Sequence, residues 1–248
     1  MSISEIKNEA KLRLSQSYFK LLFINLVYTL IVVLLQQGEA FFTNSLNGIY
    51  LCVEFFLFLI LTYGLVSASI KCVRNEKVGI ADFIFIGFTN TLKILKVLGR
   101  ILLELIIPVI INAVSIVFWI YTNLIENNTL VMISSAIFIA TTIYLIIKSL
   151  KFVLTLYIIH DNINIPSKEI VDKSKKLMKG NIGKYIFLNL SFILWYLLIF
   201  FIPYTISFFY LNDLVIESIL QIGLLLLTPY IDTSIICFYE NLDDSSSN

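Results

Sequence analysis

Six long apolar stretches constrain this chain more than any other feature. They run approximately over residues 18–35, 50–70, 98–121, 129–147 with an apolar extension to 159, 185–202 and 214–238. A helix rises about 1.5 Å per residue and the hydrocarbon core of a bilayer is about 30 Å thick, so about 20 apolar residues cross it. Of 248 residues, 58% are apolar and 14% charged, against about 45–50% and about 25% in soluble domains. That excess, gathered into runs, predicts an all-α polytopic membrane protein with six transmembrane helices arranged as three hairpins.

Charge placement sets the expected orientation. The chain has 18 lysines and arginines. Lys7, Lys11, Arg13 and Lys20 precede or open the first span. Lys71, Arg74, Lys77, Lys93, Lys96 and Arg100 lie between the second and third. Lys148, Lys151, Lys168, Lys173, Lys175, Lys176, Lys179 and Lys184 lie between the fourth and fifth. The three other connections contain none. They are marked by Gln36-Gln37-Gly38-Glu39 with Asn44-Ser45-Leu46-Asn47-Gly48, by Glu126-Asn127-Asn128, and by Pro203 with Asn212-Asp213. Basic residues are retained on the cytoplasmic side, so both termini are expected in the cytoplasm. A formal net charge of +1 gives no case for nucleic acid. Residues 1–17 are polar and include Glu5 and Glu9, and the apolar run after them continues as a full-length span with no cleavage site, unlike a secretory signal.

The chain repeats itself. Residues 5–26 align without a gap on 169–190, pairing Glu5 with Glu169, Ile6 with Ile170, Lys11 with Lys175, Lys20 with Lys184, Phe23 with Phe187, Asn25 with Asn189 and Leu26 with Leu190. Each copy reads as an amphipathic cytoplasmic helix that runs into a span. In the second, Ile170, Ser174, Leu177 and Met178 share one face at helical spacing, and Lys168, Lys175, Lys176 and Lys179 largely occupy the rest. A middle copy at 79–91 carries Ile80, Phe83, Ile84 and Phe88. A single membrane domain of three pseudo-repeats, 1–77, 78–163 and 164–242, with a polar tail at 243–248, follows. Each hairpin leaves the membrane through a polar step: Arg74-Asn75-Glu76, His160-Asp161-Asn162 and Tyr239-Glu240-Asn241.

Four segments carry a family resemblance. Leu177-Met178-Lys179-Gly180-Asn181, Leu190-Ser191-Phe192-Ile193-Leu194-Trp195, Pro229-Tyr230-Ile231-Asp232-Thr233 and Phe238-Tyr239-Glu240-Asn241-Leu242 resemble the signature of the domain-of-unknown-function 975 family, with Ile3-Ser4-Glu5-Ile6 and Ala10 also fitting. The resemblance spans nearly the whole chain. It implies a bacterial integral membrane protein and brings no activity or catalytic residues. Such proteins often carry a glycine-rich outer stretch before the last span, where this chain has the aromatic and polar residues 203–212. A fainter likeness is to the membrane domain attached to some glycerophosphodiester phosphodiesterases, without their soluble hydrolase domain.

Ionisable residues within a span are costly and count as functional candidates. Glu104 falls roughly 9 Å into the third span, and Asp232 one to two turns from the inner end of the sixth. Asn25 and Asn189 occupy matching depths in the first and fifth. Together they suggest an inner-leaflet polar belt, which Arg100, Lys148 or Lys151 could neutralise; the alternative is structural hydrogen bonding between helices. The basic helix with Lys168, Lys173, Lys175, Lys176 and Lys179 is expected on anionic inner-leaflet lipid. Pro108, Pro203 and Pro229 each remove a backbone donor. Cys52, Cys72 and Cys237 form no metal or disulfide pattern and are expected to be buried. No nucleophile–base set, nucleotide-binding motif, metal site or cofactor signature is present. The expected function is therefore non-enzymatic. It is either handling or transport of a lipid, peptide or other amphiphile, or service as an immunity or partner-subunit module; an intramembrane enzyme is the third reading.

Overall fold

The computed structural model describes residues 2–38, 44–125, 127–207 and 213–247. Among these, no strand occurs and ten α-helices do: α1 Ile3–Gly38, α2 Asn44–Val73, α3 Asp82–Thr89, α4 Thr91–Leu124, α5 Asn128–Ser149, α6 Thr155–Asp161, α7 Ser167–Met178, α8 Ile182–Leu190, α9 Ile193–Ser207 and α10 Asp213–Ser247, with a 3₁₀ turn at Leu150–Phe152. Six stretches of helix among the described residues are long and apolar enough to cross a membrane. Their outer surfaces stay apolar, as lipid contact requires: Leu102, Leu103, Ile107 and Val114 of α4 are all exposed.

Several predicted boundaries move. Gln36 to Gly38 still belong to α1, and Asn44 to Gly48 already belong to α2. Pro203 lies inside α9 and does not end it. The predicted turn residues Glu39, Glu126 and Asn212 lie outside the described residues. The fourth span is interrupted by the 3₁₀ turn, and the fifth by a turn at Ser191 and Phe192. The two repeat copies differ accordingly. The first is one unbroken helix, α1, whereas the second breaks at Gly180, whose φ of 81° suits a residue without a Cβ. Cys72 and Cys237 are buried as expected, but Cys52 is exposed on α2.

Local chemistry explains the element ends. At the start of α1 the Ser2 amide donates to Glu5 Oε2 (2.7 Å) and the Glu5 amide to Ser2 Oγ (3.3 Å), a reciprocal cap for two unpaired donors. Asn127 caps α5 by accepting from the Leu130 amide at 3.2 Å. Pro166 precedes α7, where a missing N–H costs nothing.

The chain divides into two units, Met1–Ile94 with Gly183–Asn248, and Leu95–Ile182. In the first, α1 packs along α10 and α2, α3 packs on α2, and α9 on α10. Its buried apolar residues include Ile6, Ala10, Leu21 and Ile24 of α1, Tyr63 and Ile70 of α2, and Phe238 and Tyr239 of α10. The approach of α3 to α2 is closest at Gly64 and Gly87. A Cβ on Gly64 would run into the Phe83 carbonyl, and one on Gly87 into the Ile60 carbonyl. In the second unit, α7 packs on α6 and on the 3₁₀ turn. Side-chain bonds tie α4 to α5: Asn112 Nδ2 donates to Thr142 Oγ1 at 3.0 Å, Ser115 and Thr141 share a bond of 2.7 Å, Thr122 and Ser134 one of 2.6 Å, and Trp119 Nε1 donates to Ser135 Oγ at 3.0 Å.

Candidate functional site

The interruption in the fifth span creates the first feature. The Trp195 amide, which a continuous helix would aim at the Ser191 carbonyl, bonds the Phe192 carbonyl at 2.9 Å instead. The Ser191 carbonyl is thereby released, and irregular backbone at membrane depth must find another partner. Lys7 supplies it. Its ammonium donates to Ser191 O at 3.3 Å and to Ser191 Oγ at 3.0 Å. The same ammonium stands 4.5 Å from the centre of the Phe192 ring and 5.8 Å from that of Tyr230, within cation–π range. Phe192 and Tyr230 meet edge to face at 5.2 Å.

Two clefts border this point. One, of about 300 Å³, is lined by Lys11, Leu14, Ser15 and Tyr18 of α1 with Tyr230 of α10. The other, also about 300 Å³, runs between α9 and α10. Its walls are Trp195, Leu198, Ile199 and Ile202 on one side and Ile219, Gly223, Leu226 and Leu227 on the other. Gly223 keeps it open, since a Cβ there would come within 2.8 Å of Ile199. Tyr18 joins the two clefts by donating its hydroxyl to the Leu226 carbonyl at 3.1 Å. The Tyr230 hydroxyl is buried without a hydrogen-bond partner.

Within the first unit, two members of the predicted polar belt meet. Asn25 is buried and donates to its own helix, at Leu21 O (3.0 Å), and more weakly to Asp232 Oδ2 (3.4 Å). Asn189 turns back to Tyr185 O at 2.9 Å. The matched asparagines thus do the same local work, and only Asn25 also reaches Asp232. About two turns further along, two of the polar steps meet: Glu240 takes an ion pair from Arg13, which also holds Glu9, and another from Arg74 at 2.7 Å. That network links α1, α2 and α10.

Glu104 belongs to the other unit. It shares the α4 stripe of Val97, Ile101 and Pro108, and its partners are Lys175 Nζ of α7 at 3.0 Å and Arg100 at 4.0 Å. Of the expected neighbours Arg100, Lys148 and Lys151, Arg100 is the one within ion-pair reach. The Lys148 ammonium lies 5.3 Å from the Tyr144 ring centre, and the Lys151 carbonyl accepts the Ser174 hydroxyl at 2.8 Å. Lys175, assigned by its sequence to a lipid surface, is tied up with Glu104 and with Asp172 at 2.7 Å. The Asp172 carboxylate in turn holds Lys175 above its ordinary 10.5, and Lys175 holds Asp172 below its ordinary 3.8. On α7, Ile170, Val171, Ser174, Leu177 and Met178 are buried, whereas Lys168, Lys176 and Lys179 are exposed and Lys173 is half-buried.

A family model for proteins of unknown function, DUF975, matches residues 1–246. The chain belongs to the DUF975 family. No curated protein and no solved structure matches it. Within this DUF975 chain, three segments that carried the resemblance come together in one unit: Ser191, Phe192 and Trp195 from the first, Tyr230 from the second, and Glu240 from the third. Sequence reasoning used Lys7 and Lys11 only to set orientation. A basic residue one position from the buried Ile6 was the available signal that Lys7 turns inward. Ser191, a poor helix former inside an apolar run, was the signal for the break. The arrangement offers an apolar cleft between α9 and α10 and, beside it, a second cleft lined by Lys11 and Tyr230.

Proposed function

We propose that this DUF975 protein is a non-enzymatic, multi-pass protein of a bacterial plasma membrane that binds and handles an amphiphile. Both termini face the cytoplasm in this reading, and the exposed lysines of α7 rest against the anionic inner leaflet. The observation that carries it is the apolar cleft between α9 and α10, kept open at Gly223, with the cleft lined by Lys11 and Tyr230 beside it. An apolar channel with a few convergent polar groups is the usual form of a small-ligand site.

Native mass spectrometry of the full-length protein extracted from membranes tests this. Adducts of lipid or peptide mass are expected on the wild type, and loss of most of them in Gly223→Leu, which fills the cleft. No adducts on a correctly folded wild type would refute the reading. A partner-subunit or immunity module is the second reading, favoured because Asn25 and Asp232 bond one another. It would show a protein-sized adduct instead. Orientation is tested in a cysteine-free background: a cysteine at Asn127 should react with an impermeant thiol reagent from outside, and cysteines at Lys77 and Lys173 should not.

A further inference from the structure

The length and ends of the cleft specify more than an amphiphile. From Ile219 to Leu227 it follows eight residues of α10, about 12 Å at about 1.5 Å per residue. Tyr230 lies three residues beyond, which brings the path to about 16 Å. Half of a hydrocarbon core about 30 Å thick is about 15 Å. The path therefore matches one leaflet, the depth of a single acyl chain.

Beyond Leu227, on the Tyr230 side, the neighbouring cleft is basic. Lys11 lines the second cleft beside Tyr230, and Lys7 stands over the Tyr230 and Phe192 rings four residues earlier on the same helix. An ammonium has three donors. Ser191 O and Ser191 Oγ take two of those on Lys7, which leaves one for a ligand. The carboxylates that could neutralise this end are engaged elsewhere, Glu9 and Glu240 with Arg13 and Asp232 with Asn25. The buried Tyr230 hydroxyl would gain the bond that the protein alone leaves unmade.

We infer that the cleft takes one acyl chain of an anionic phospholipid, with the lipid phosphate held between Lys7 and Lys11. This rests on the amphiphile reading above and narrows it to one headgroup charge. Lys7 also couples the site to the backbone break, because one ammonium serves both the phosphate and the freed Ser191 carbonyl.

Trp195 lines the cleft and provides the readout. The chain has two tryptophans, so Trp119→Phe leaves Trp195 as the sole reporter. Full-length Trp119→Phe protein is reconstituted into phosphatidylcholine vesicles doped with either brominated phosphatidylglycerol or brominated phosphatidylcholine. Quenching of Trp195 by the brominated phosphatidylglycerol should exceed that by the brominated phosphatidylcholine. The preference should fall about fivefold for each lysine removed, reaching parity in Lys7→Gln/Lys11→Gln, and be kept in Lys7→Arg/Lys11→Arg. It should also weaken as salt is raised, which needs no lysine variant to fold. Equal enrichment of both lipids would overturn the headgroup assignment and leave the amphiphile reading standing. Quenching that tracks mole fraction for both lipids, and is unchanged by Gly223→Leu, would overturn both.

Discussion

Glu240 faces two guanidinium groups at once, and its removal would leave Arg13 and Arg74 repelling each other at a half-buried junction of three helices. Breaking a fully buried pair costs about 3–5 kcal/mol. Here the three side chains are 18–33% exposed, so solvent screening reduces the cost. Glu240→Gln is expected to destabilise the protein by about 1–2 kcal/mol, read as a lower thermal midpoint in detergent, with Glu240→Asp partly restoring it. The Asp172–Lys175 pair makes a different prediction, about pH. Asp172 has a depressed pKa, so its contribution is present above 3.8 and is lost as pH falls through the lower folded value. Lys175 has a raised pKa, so its contribution is complete below 10.5 and is lost as pH climbs through the higher folded value. Between about pH 5 and 10 the pair should therefore leave the thermal midpoint flat, and Asp172→Asn should abolish its share of the acid limb and reduce that of the alkaline limb, since Asp172 is the main cause of the raised Lys175 value. A slope near neutrality that Asp172→Asn removes would contradict this.

Among the helices, the sharpest constraint is the contact of α2 with α3. Gly64 and Gly87 each present bare backbone to the other helix, so this seam is set by the absence of side chains. Gly64→Ala must displace the Phe83 carbonyl, and overpacking of this kind costs about 1–3 kcal/mol. Thermal unfolding should show that loss, whereas Gly99→Ala, with open space around its Cβ position, should be neutral or stabilising. These elements also show what the sequence could and could not convey. Span number follows from hydropathy alone, because about 20 apolar residues have few other uses. Helix interruptions at 150–152 and 191–192 leave only a single-residue signal each, Lys151 and Ser191, since Leu150, Phe152 and Phe192 are as apolar as their neighbours. The expected group of Asn25, Asn189, Glu104 and Asp232 rested on shared depth. Depth does not fix the direction in which a side chain points around its helix, so Asn189 could return to its own backbone and Glu104 could take Lys175.

Across the chain, each helix that leads a predicted repeat packs on another helix of its own unit. The start of α1 lies on α10, α3 on α2, and α7 on α6 with the 3₁₀ turn. The aligned positions agree in burial: Ile6 with Ile170, Ala10 with Ser174, and Ile24 with Leu188 are all buried. Ala10→Leu and Ser174→Leu should therefore act alike, each costing about 1–3 kcal/mol by overpacking. If only one of them lowers the thermal midpoint, the two docking faces are not equivalent. The hydroxyl and amide bonds between α4 and α5 bear on how the chain enters the bilayer. Their rungs fall at Asn112, Ser115, Trp119 and Thr122, opposite Thr142, Thr141, Ser135 and Ser134. In hydrocarbon no water replaces a broken rung, so sliding one helix past the other would strand several polar groups together. Only three residues separate Leu124 of α4 from Asn128 of α5 along the chain, so the two strips can pair as soon as the second helix emerges. The two helices therefore leave the translocation machinery as one zipped pair, and the order of synthesis becomes part of the folding code.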